Sequence, residues 1–194
     1  MRERSLAFTV IGLGLLVLSG CEKKEETVVT PASPPPAAAP ATPAPVTTVP
    51  QADADFAMKA AGGGLAEVEA SRTVSEKTAN ESVRQFAQML VNDHAAANQE
   101  LVRIAQAKQL ILPTAPDVAH QEALAKLKSA MGTESDRIYV QDFGLKAHQD
   151  AVALFEREAN EGMDPELKAF AAKTLPSLKT HLEHAQRLAQ GLPQ

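Results

Sequence analysis

The chain has 194 residues, a formal net charge of −5 and one cysteine, Cys21. The mild acidity argues against nucleic acid or an anionic lipid surface as a partner, and a single thiol excludes internal disulfides. Aromatic residues make up 4% of the chain and tryptophan is absent, which argues against a stacking site for sugars or nucleobases.

The first predicted element is a targeting segment. Residues 1–4 carry two arginines, and an almost unbroken apolar run follows over residues 6–18. A run of this length is typical of a signal peptide and is too short for a comfortable membrane-spanning helix. It ends in Leu18-Ser19-Gly20-Cys21, which resembles the bacterial lipobox. We expect removal of residues 1–20 and lipidation of Cys21, which also leaves no thiol for metal binding or catalysis. The alternative is an ordinary cleaved signal peptide followed by an incidental cysteine.

The segment behind Cys21 is a predicted tether. Residues 21–52 begin with a short charged stretch and continue as a tract of proline, alanine and threonine. Such a composition cannot bury apolar area, so we expect it to be disordered and extended, reaching several tens of ångströms at about 3 Å per residue. Glu22, rather than aspartate, follows the lipidated cysteine, which indicates a bacterial envelope protein of the outer membrane that faces the periplasm. The membrane is the one partner that the sequence identifies, and a protein partner is left open.

Residues 53–190 are predicted to form an all-α domain. Period-two alternation is missing, and the helix-favouring residues alanine, leucine, glutamate, glutamine and lysine dominate. The turns between the long helices are short, which favours antiparallel neighbours. The pattern therefore predicts an antiparallel four-helix bundle with an extra short helix before the third long one. The predicted helices cover residues 53–77, 80–108, 117–131, 134–161 and 165–190.

Each long helix has an apolar stripe with one polar residue near its middle. These residues are Glu67, His94, His148 and His181. In an up-and-down bundle they lie at a broadly similar depth, where one carboxylate and three imidazoles can bind one transition-metal ion (Zn, Cu, Ni, Mn or Fe). No Glu-x-x-His motif occurs in the sequence, which argues against the oxygen-activating di-iron site of ferritin-like proteins.

Four segments of the sequence resemble a known family, the envelope proteins grouped as domain of unknown function 4142. The resemblance covers essentially all of residues 53–190. It implies a ferritin-like fold and an outer-membrane location, but the family has no agreed activity. The matching segments are Phe56 through Ala60-Ala61-Gly62-Gly63-Gly64-Leu65-Ala66-Glu67-Val68-Glu69, Phe86-Ala87-Gln88-Met89-Leu90-Val91-Asn92-Asp93-His94, Ala147-His148 through Phe155, and Leu175-Pro176-Ser177-Leu178-Lys179-Thr180-His181-Leu182.

Other interpretations of the four polar residues are open. They are a structural hydrogen-bond network, aided by Asp93 or Thr174, or a proton-transfer catalyst. No nucleophile elbow or phosphate-binding glycine loop is present, so a non-enzymatic role is favoured. The alternative from another class is an envelope interaction or stress-protection module with a purely structural polar core. His120 and His184 are expected to be ordinary, although His184 lies three residues after His181 and can offer a further ligand.

Overall fold

The structure, a computed structural model, describes residues 48–192. The predicted signal peptide, the predicted lipidation site Cys21 and residues 21–47 of the predicted tether lie outside the described residues. Between residues 48 and 192 no strand occurs, and none of the helices has the length and apolar content needed to cross a membrane. The helices are α1 (Gln51–Lys77), α2 (Glu81–Ala107), α3 (Val118–Ser129), α4 (Gly132–Ile138), α5 (Ala147–Glu161) and α6 (Pro165–Gly191), and a π-helical segment, Tyr139–Lys146, joins α4 to α5.

Four long helical rods form the bundle. They are α1, α2, the continuous run from α4 through α5, and α6. The most extensive pairings join α1 to α2 and α5 to α6, and the short helix α3 packs on α1. The predicted all-α bundle with an extra short helix before its third rod is thus confirmed, and each predicted helix end lies within about two residues of the observed one.

Side-chain caps fix where the helices start. The sequence before α2 offers two possible caps, a capping box of Thr78 with Glu81 or Asn80 alone. The Asn80 side chain accepts hydrogen bonds from the backbone N–H groups of Ser82 and Val83, so Asn80 is the cap. Asp117 and Asp164 cap α3 and α6 in the same way, and Pro165 opens α6, where no backbone donor is needed. These caps explain why short turns separate the rods.

Gly132 follows the predicted short helix of residues 117–131, and glycine at this place predicts the end of that helix. That helix ends at Ser129, and Gly132, with a φ of 56°, is instead the first residue of α4. A positive φ is readily adopted by glycine because it lacks a Cβ. The glycine therefore turns the chain into the third rod.

The π-helical segment corrects the predicted apolar stripe of the third rod. Helical spacing in residues 134–161 predicts a stripe through Ile138, Leu145 and His148, in which the polar residue Gln141 occupies one apolar position. In the structure Tyr139 and Phe143 are buried, whereas Leu145 is only half-buried. A π-helical turn holds one residue more than an α-helical turn, so it shifts the phase of the helix. Gln141 is polar at a position where α-helical spacing expects an apolar residue, because the π-helical segment moves that position away from the core.

The hydrophobic core consists of two clusters. We call them the Tyr139 cluster and the Phe56 cluster. The three polar stripe histidines fall between these clusters along their helices, and Glu67 lies at the edge of the first, next to Ala66: His94, for example, follows Leu90 of the first and precedes Leu101 of the second. The bundle therefore has a polar layer between two apolar layers. Main members of the Tyr139 cluster are Ala70, Phe86, Leu90, Tyr139, Phe143 and Ala185, and those of the Phe56 cluster are Phe56, Leu101, Phe155, Phe170 and Leu178.

Candidate metal centre

His148 lies where the π-helical segment returns to α-helix. The backbone N–H of Ala147 donates to Asp142 O, five residues earlier, and such a transition leaves one carbonyl without a backbone donor. His148 Nδ1 lies 2.9 Å from Phe143 O. A carbonyl only accepts, so His148 must donate from Nδ1, and its Nε2 is left with a free lone pair. The side chain is fully buried.

His181 is held by a different partner. Its Nε2 lies 2.8 Å from Asp93 Oδ2, across the interface of α6 and α2. An ionised carboxylate only accepts hydrogen bonds, so His181 carries its proton on Nε2 and its Nδ1 has the free lone pair. Asp93 is about half exposed, whereas the imidazole is almost fully buried. The solvent-facing carboxylate thus fixes the tautomer of a buried ring.

The free nitrogens of these two rings face each other. His148 Nε2 lies 3.3 Å from His181 Nδ1 and 3.5 Å from His94 Nε2. One ring nitrogen of each histidine lies within 4.8 Å of those of the other two. Because neither His148 Nε2 nor His181 Nδ1 has a proton, no hydrogen bond joins that pair, and two lone pairs converge on one point.

These distances suit a metal. Nitrogen ligands placed 2.0–2.1 Å from a tetrahedral ion are about 3.3–3.4 Å apart. Two edges of the histidine triangle, at 3.3 and 3.5 Å, match that spacing. A histidine ligand usually donates its second N–H to a carboxylate or a backbone carbonyl, as His181 and His148 do. Both features are typical of a metal site.

The three rings are held uncharged, which metal binding requires. Burial, followed by the nearby charges of His148 and His181, holds the pKa of His94 well below its ordinary range. Burial lowers the pKa of His148 to about 4. The pKa of His181 is also lowered by burial, against the opposing effect of Asp93. At neutral pH a metal ion therefore does not have to displace protons from these ring nitrogens.

Glu67 lies beside this group and not within it. Its Oε1 is 3.6 Å from His148 Nδ1, on the side of the ring that faces away from the other histidines. Its Oε2 is buried and has no hydrogen-bond partner among the described residues. Burial raises the pKa of the carboxyl group well above its usual range. Of the four predicted residues, the structure brings three histidines together and places Glu67 behind one of them.

The other two histidines stand apart. His120 lies in the first turn of α3, where its Nδ1 contacts Asp117 at 2.8 Å, and His184 packs against the ring of Phe86. Within residues 48–192 neither belongs to a group of possible metal ligands. The sequence had suggested Asp93 as an aid to the cluster, but it gave no sign of the Phe143 carbonyl, because a backbone acceptor leaves no mark on a sequence.

Two cavities reach the histidine layer. The larger, of about 500 Å³, extends from His94 and Glu67 into the Phe56 cluster, between Gly63 of α1 and Ala151 of α5. The smaller, of about 240 Å³, lies between α2 and α6 and is lined by Asp93, His94 and His181. The layer is thus buried but approachable from two sides.

The fold and site define a small helical bundle with a buried histidine cluster. The sequence model of one family, Domain of unknown function (DUF4142), matches residues 35–188. The chain therefore belongs to the DUF4142 family. No curated protein matches the chain.

Solved structures of another group share this fold. A DUF305 fragment from Deinococcus radiodurans is 12% identical, with a TM-score of 0.67 over 75% of this chain and 100% of that chain. A DUF305 protein from Streptomyces coelicolor is 19% identical, with a TM-score of 0.61 over 71% of this chain and 89% of that chain. At these identities the likeness establishes the helical bundle and not an activity.

Proposed function

We propose that the domain binds a single transition-metal ion through one ring nitrogen each of His94, His148 and His181, without acting as an enzyme. The observation that carries the proposal is the pair of unprotonated nitrogens, His148 Nε2 and His181 Nδ1, 3.3 Å apart in a buried layer. Without a cation between them their lone pairs repel each other. A bound metal turns that repulsion into two coordinate bonds.

The ligand set narrows the choice of metal. Three neutral imidazoles suit Zn, Cu or Ni and also accept Fe or Mn, whereas Mg and Ca prefer oxygen ligands. Three protein ligands leave a coordination position open for water or another small molecule. Glu67 lies behind His148 and is not one of the ligands, and burial favours the uncharged form of its carboxyl group.

The location belongs to the same proposal. A lipid on Cys21 would anchor the protein in the outer membrane, with the bundle in the periplasm at the end of the tether. In that compartment the domain would bind metal for storage, delivery or protection. In a purely structural polar core, the alternative drawn from the sequence, His94 Nε2 can donate to His148 Nε2 at 3.5 Å, but the lone pair of His181 Nδ1 is left facing that of His148 without a donor.

Elemental analysis of the purified full-length protein tests the proposal. We expect close to one transition-metal ion per chain, either as isolated or after exposure to Zn, Cu, Ni, Fe or Mn followed by removal of unbound ion. His94→Gln and His148→Gln should abolish binding while circular dichroism shows an intact helical fold. His184→Gln is the matched control, because His184 is on the same helix as His181 but outside the cluster.

Two results would contradict the proposed metal site. A folded protein that retains none of the five metals, and whose melting temperature none of them raises, contradicts the proposal. Metal that His94→Gln and His148→Gln still hold would place the site elsewhere. Treatment with a chelator should lower the melting temperature of the wild-type protein and leave that of His148→Gln unchanged, since ligand binding stabilises only the folded state that binds it.

A further inference from the structure

The larger cavity is placed to hold a ligand of the metal. It occupies about 500 Å³, a volume in the range of small-molecule sites. His94 and Glu67 line its inner end, so it begins at the histidine layer and extends toward Phe155. On the opposite side of that layer Leu90 and Phe143 are almost fully buried in the Tyr139 cluster. Of the two cavities that reach the histidine layer, the larger therefore offers about twice the space of the smaller one of about 240 Å³ beside Asp93 and His181, and we assign the open coordination position to it.

Small residues create the space. Gly63, Ala97 and Ala151 line the cavity from three different helices. A Cβ built on Gly63 would meet nothing within 4 Å, although glycine in the middle of a helix costs about 1 kcal/mol relative to alanine. An empty position that weakens its own helix needs a reason beyond close packing. Space for a ligand supplies one.

The lining indicates what the ligand looks like. Beyond the histidine layer the walls are apolar, with Leu101, Leu154 and Phe155 among them. The inner end would present a metal ion with three uncharged ligands, which favours an anionic donor. The carboxyl group of Glu67 also lines this end, and one of its oxygens has no partner within residues 48–192; as a carboxylic acid, Glu67 can donate a hydrogen bond from that oxygen to an anionic head group.

The outer part of the cavity is cationic in effect. Lys59 and Arg157 line it, are exposed, and form no ion pair with any residue of the described range 48–192. Two carboxylates also line this outer part: Asp150 pairs with Lys146, and Asp117 caps α3 and contacts His120, both at 2.8 Å. The free positive charges attract an anion toward the opening.

We infer that the cavity binds a short-chain monocarboxylate, whose head group takes the open coordination position of the metal and whose alkyl chain lies against the apolar wall between α1 and α5. This inference rests on the proposed metal site. It assigns that site a class of small-molecule ligand, an amphipathic carboxylic acid, and it makes the glycines of α1 a specificity element.

Visible absorption of the cobalt(II)-loaded full-length protein tests the inference, because the d–d bands of cobalt change when a ligand enters its coordination sphere. The probes are sodium acetate and sodium hexanoate, titrated in a buffer without carboxylate. Both should change the spectrum, and hexanoate should bind at least about tenfold more tightly than acetate, since each buried methylene favours the bound state.

Cavity-filling variants supply the control. Gly63→Leu and Ala151→Leu should retain cobalt and acetate binding but lose the preference for hexanoate, and two variants on different helices guard against misfolding of either one. Gly191→Leu, at the far end of α6 and outside this cavity, should behave as wild type.

Three outcomes overturn the inference. If neither acetate nor hexanoate changes the cobalt spectrum, the inferred carboxylate site is wrong, but the proposed metal site is unaffected. An equal affinity for both probes, or a preference for hexanoate that survives in Gly63→Leu and Ala151→Leu, removes the assignment of the cavity. A protein that binds no cobalt, nor any of the five metals named above, removes the proposed function and this inference together.

Discussion

His181 Nε2 donates a hydrogen bond of 2.8 Å to Asp93 Oδ2, and this contact decides which nitrogen of His181 faces the other histidines. Asp93 immediately precedes His94 in α2, so two adjacent residues of one helix serve the site in different ways. His94 offers a ring nitrogen to the site, and Asp93 orients the ring of His181 on α6.

Asp93→Ala should weaken metal binding by about 10- to 100-fold, because partners that orient a metal ligand typically contribute that much. Asp93→Asn should lose less, since its amide oxygen still accepts from His181 Nε2. A competition titration against a chromophoric chelator measures both affinities. Glu100→Gln is the matched control: Glu100 lines the same small cavity but pairs with Lys173. Equal losses of metal affinity in Asp93→Ala and Glu100→Gln would show that the loss comes from removing a nearby negative charge and not from the hydrogen bond to His181.

The histidine layer was predictable because burial selects against polar residues. His94 and His181 interrupt apolar stripes with clear helical spacing, so their faces and depth follow from the sequence alone. The π-helical segment was not predictable, because its register depends on how the third rod packs between its neighbours. For that reason Tyr139 and Phe143 were missing from the predicted core, and the Phe143 carbonyl was missing from the site.

Glu67 shows a second limit of sequence reasoning. Spacing placed it in the correct layer, but it could not decide whether the carboxyl group faces the shared nitrogens or the back of His148. That choice depends on side-chain geometry across the interface of α1 and α5 and on the space left by the adjacent glycines. Helical periodicity resolves the face of a helix and not the direction of one side chain.

The buried histidines should each make a destabilising contribution to the metal-free protein as the pH falls from about 6.5 toward 4. In this window the unfolded chain binds protons at histidines whose ordinary pKa is 6.5, whereas the folded chain does not, because burial lowers the pKa of His148 to about 4 and that of His94 well below its ordinary range. The free energy of unfolding therefore decreases by up to about 1.4 kcal/mol per pH unit for each such group.

Chemical denaturation in the presence of a chelator, at pH 7 and pH 5, measures this loss. His148→Gln should show a smaller loss than wild type, since glutamine does not titrate. A change in the free energy of unfolding between the two pH values that is the same in wild type and His148→Gln contradicts the assignment of buried, uncharged imidazoles, because carboxyl groups such as Glu158 contribute equally to both proteins.

Glu158 should have the opposite pH dependence. Its Oε1 is buried without a hydrogen-bond partner among residues 48–192, and burial, together with the charges of Asp53 and Asp164, raises its pKa to about 7. Between pH 4.5 and 7 the folded protein holds a proton on this carboxyl group that the unfolded chain has lost. Its contribution to stability is therefore present below pH 4.5 and is lost as the pH rises to 7.

Glu158→Gln should therefore stabilise the protein at pH 8, by on the order of 1–3 kcal/mol, and have little effect at pH 4.5. Denaturation of both proteins at the two pH values gives the difference directly. Glu161→Gln is a control at an exposed position of the same helix and should change stability by less than about 0.5 kcal/mol. A stabilisation of equal size at both pH values would show that the effect is not one of charge.

The adjacent glycines of α1 should respond in opposite ways to the same substitution. A Cβ at Gly63 meets open space, so Gly63→Ala should stabilise the protein by up to about 1 kcal/mol through helix propensity. A Cβ at Gly64 would collide with the side chain of Asn98 on α2, so Gly64→Ala should be less stable than Gly63→Ala. Thermal denaturation compares the two variants. Adding Asn98→Ala to Gly64→Ala should recover the difference in stability between the two single variants, because it removes the colliding atoms. A double variant that is no more stable than Gly64→Ala alone would contradict the close approach of α1 and α2 at this level of the bundle.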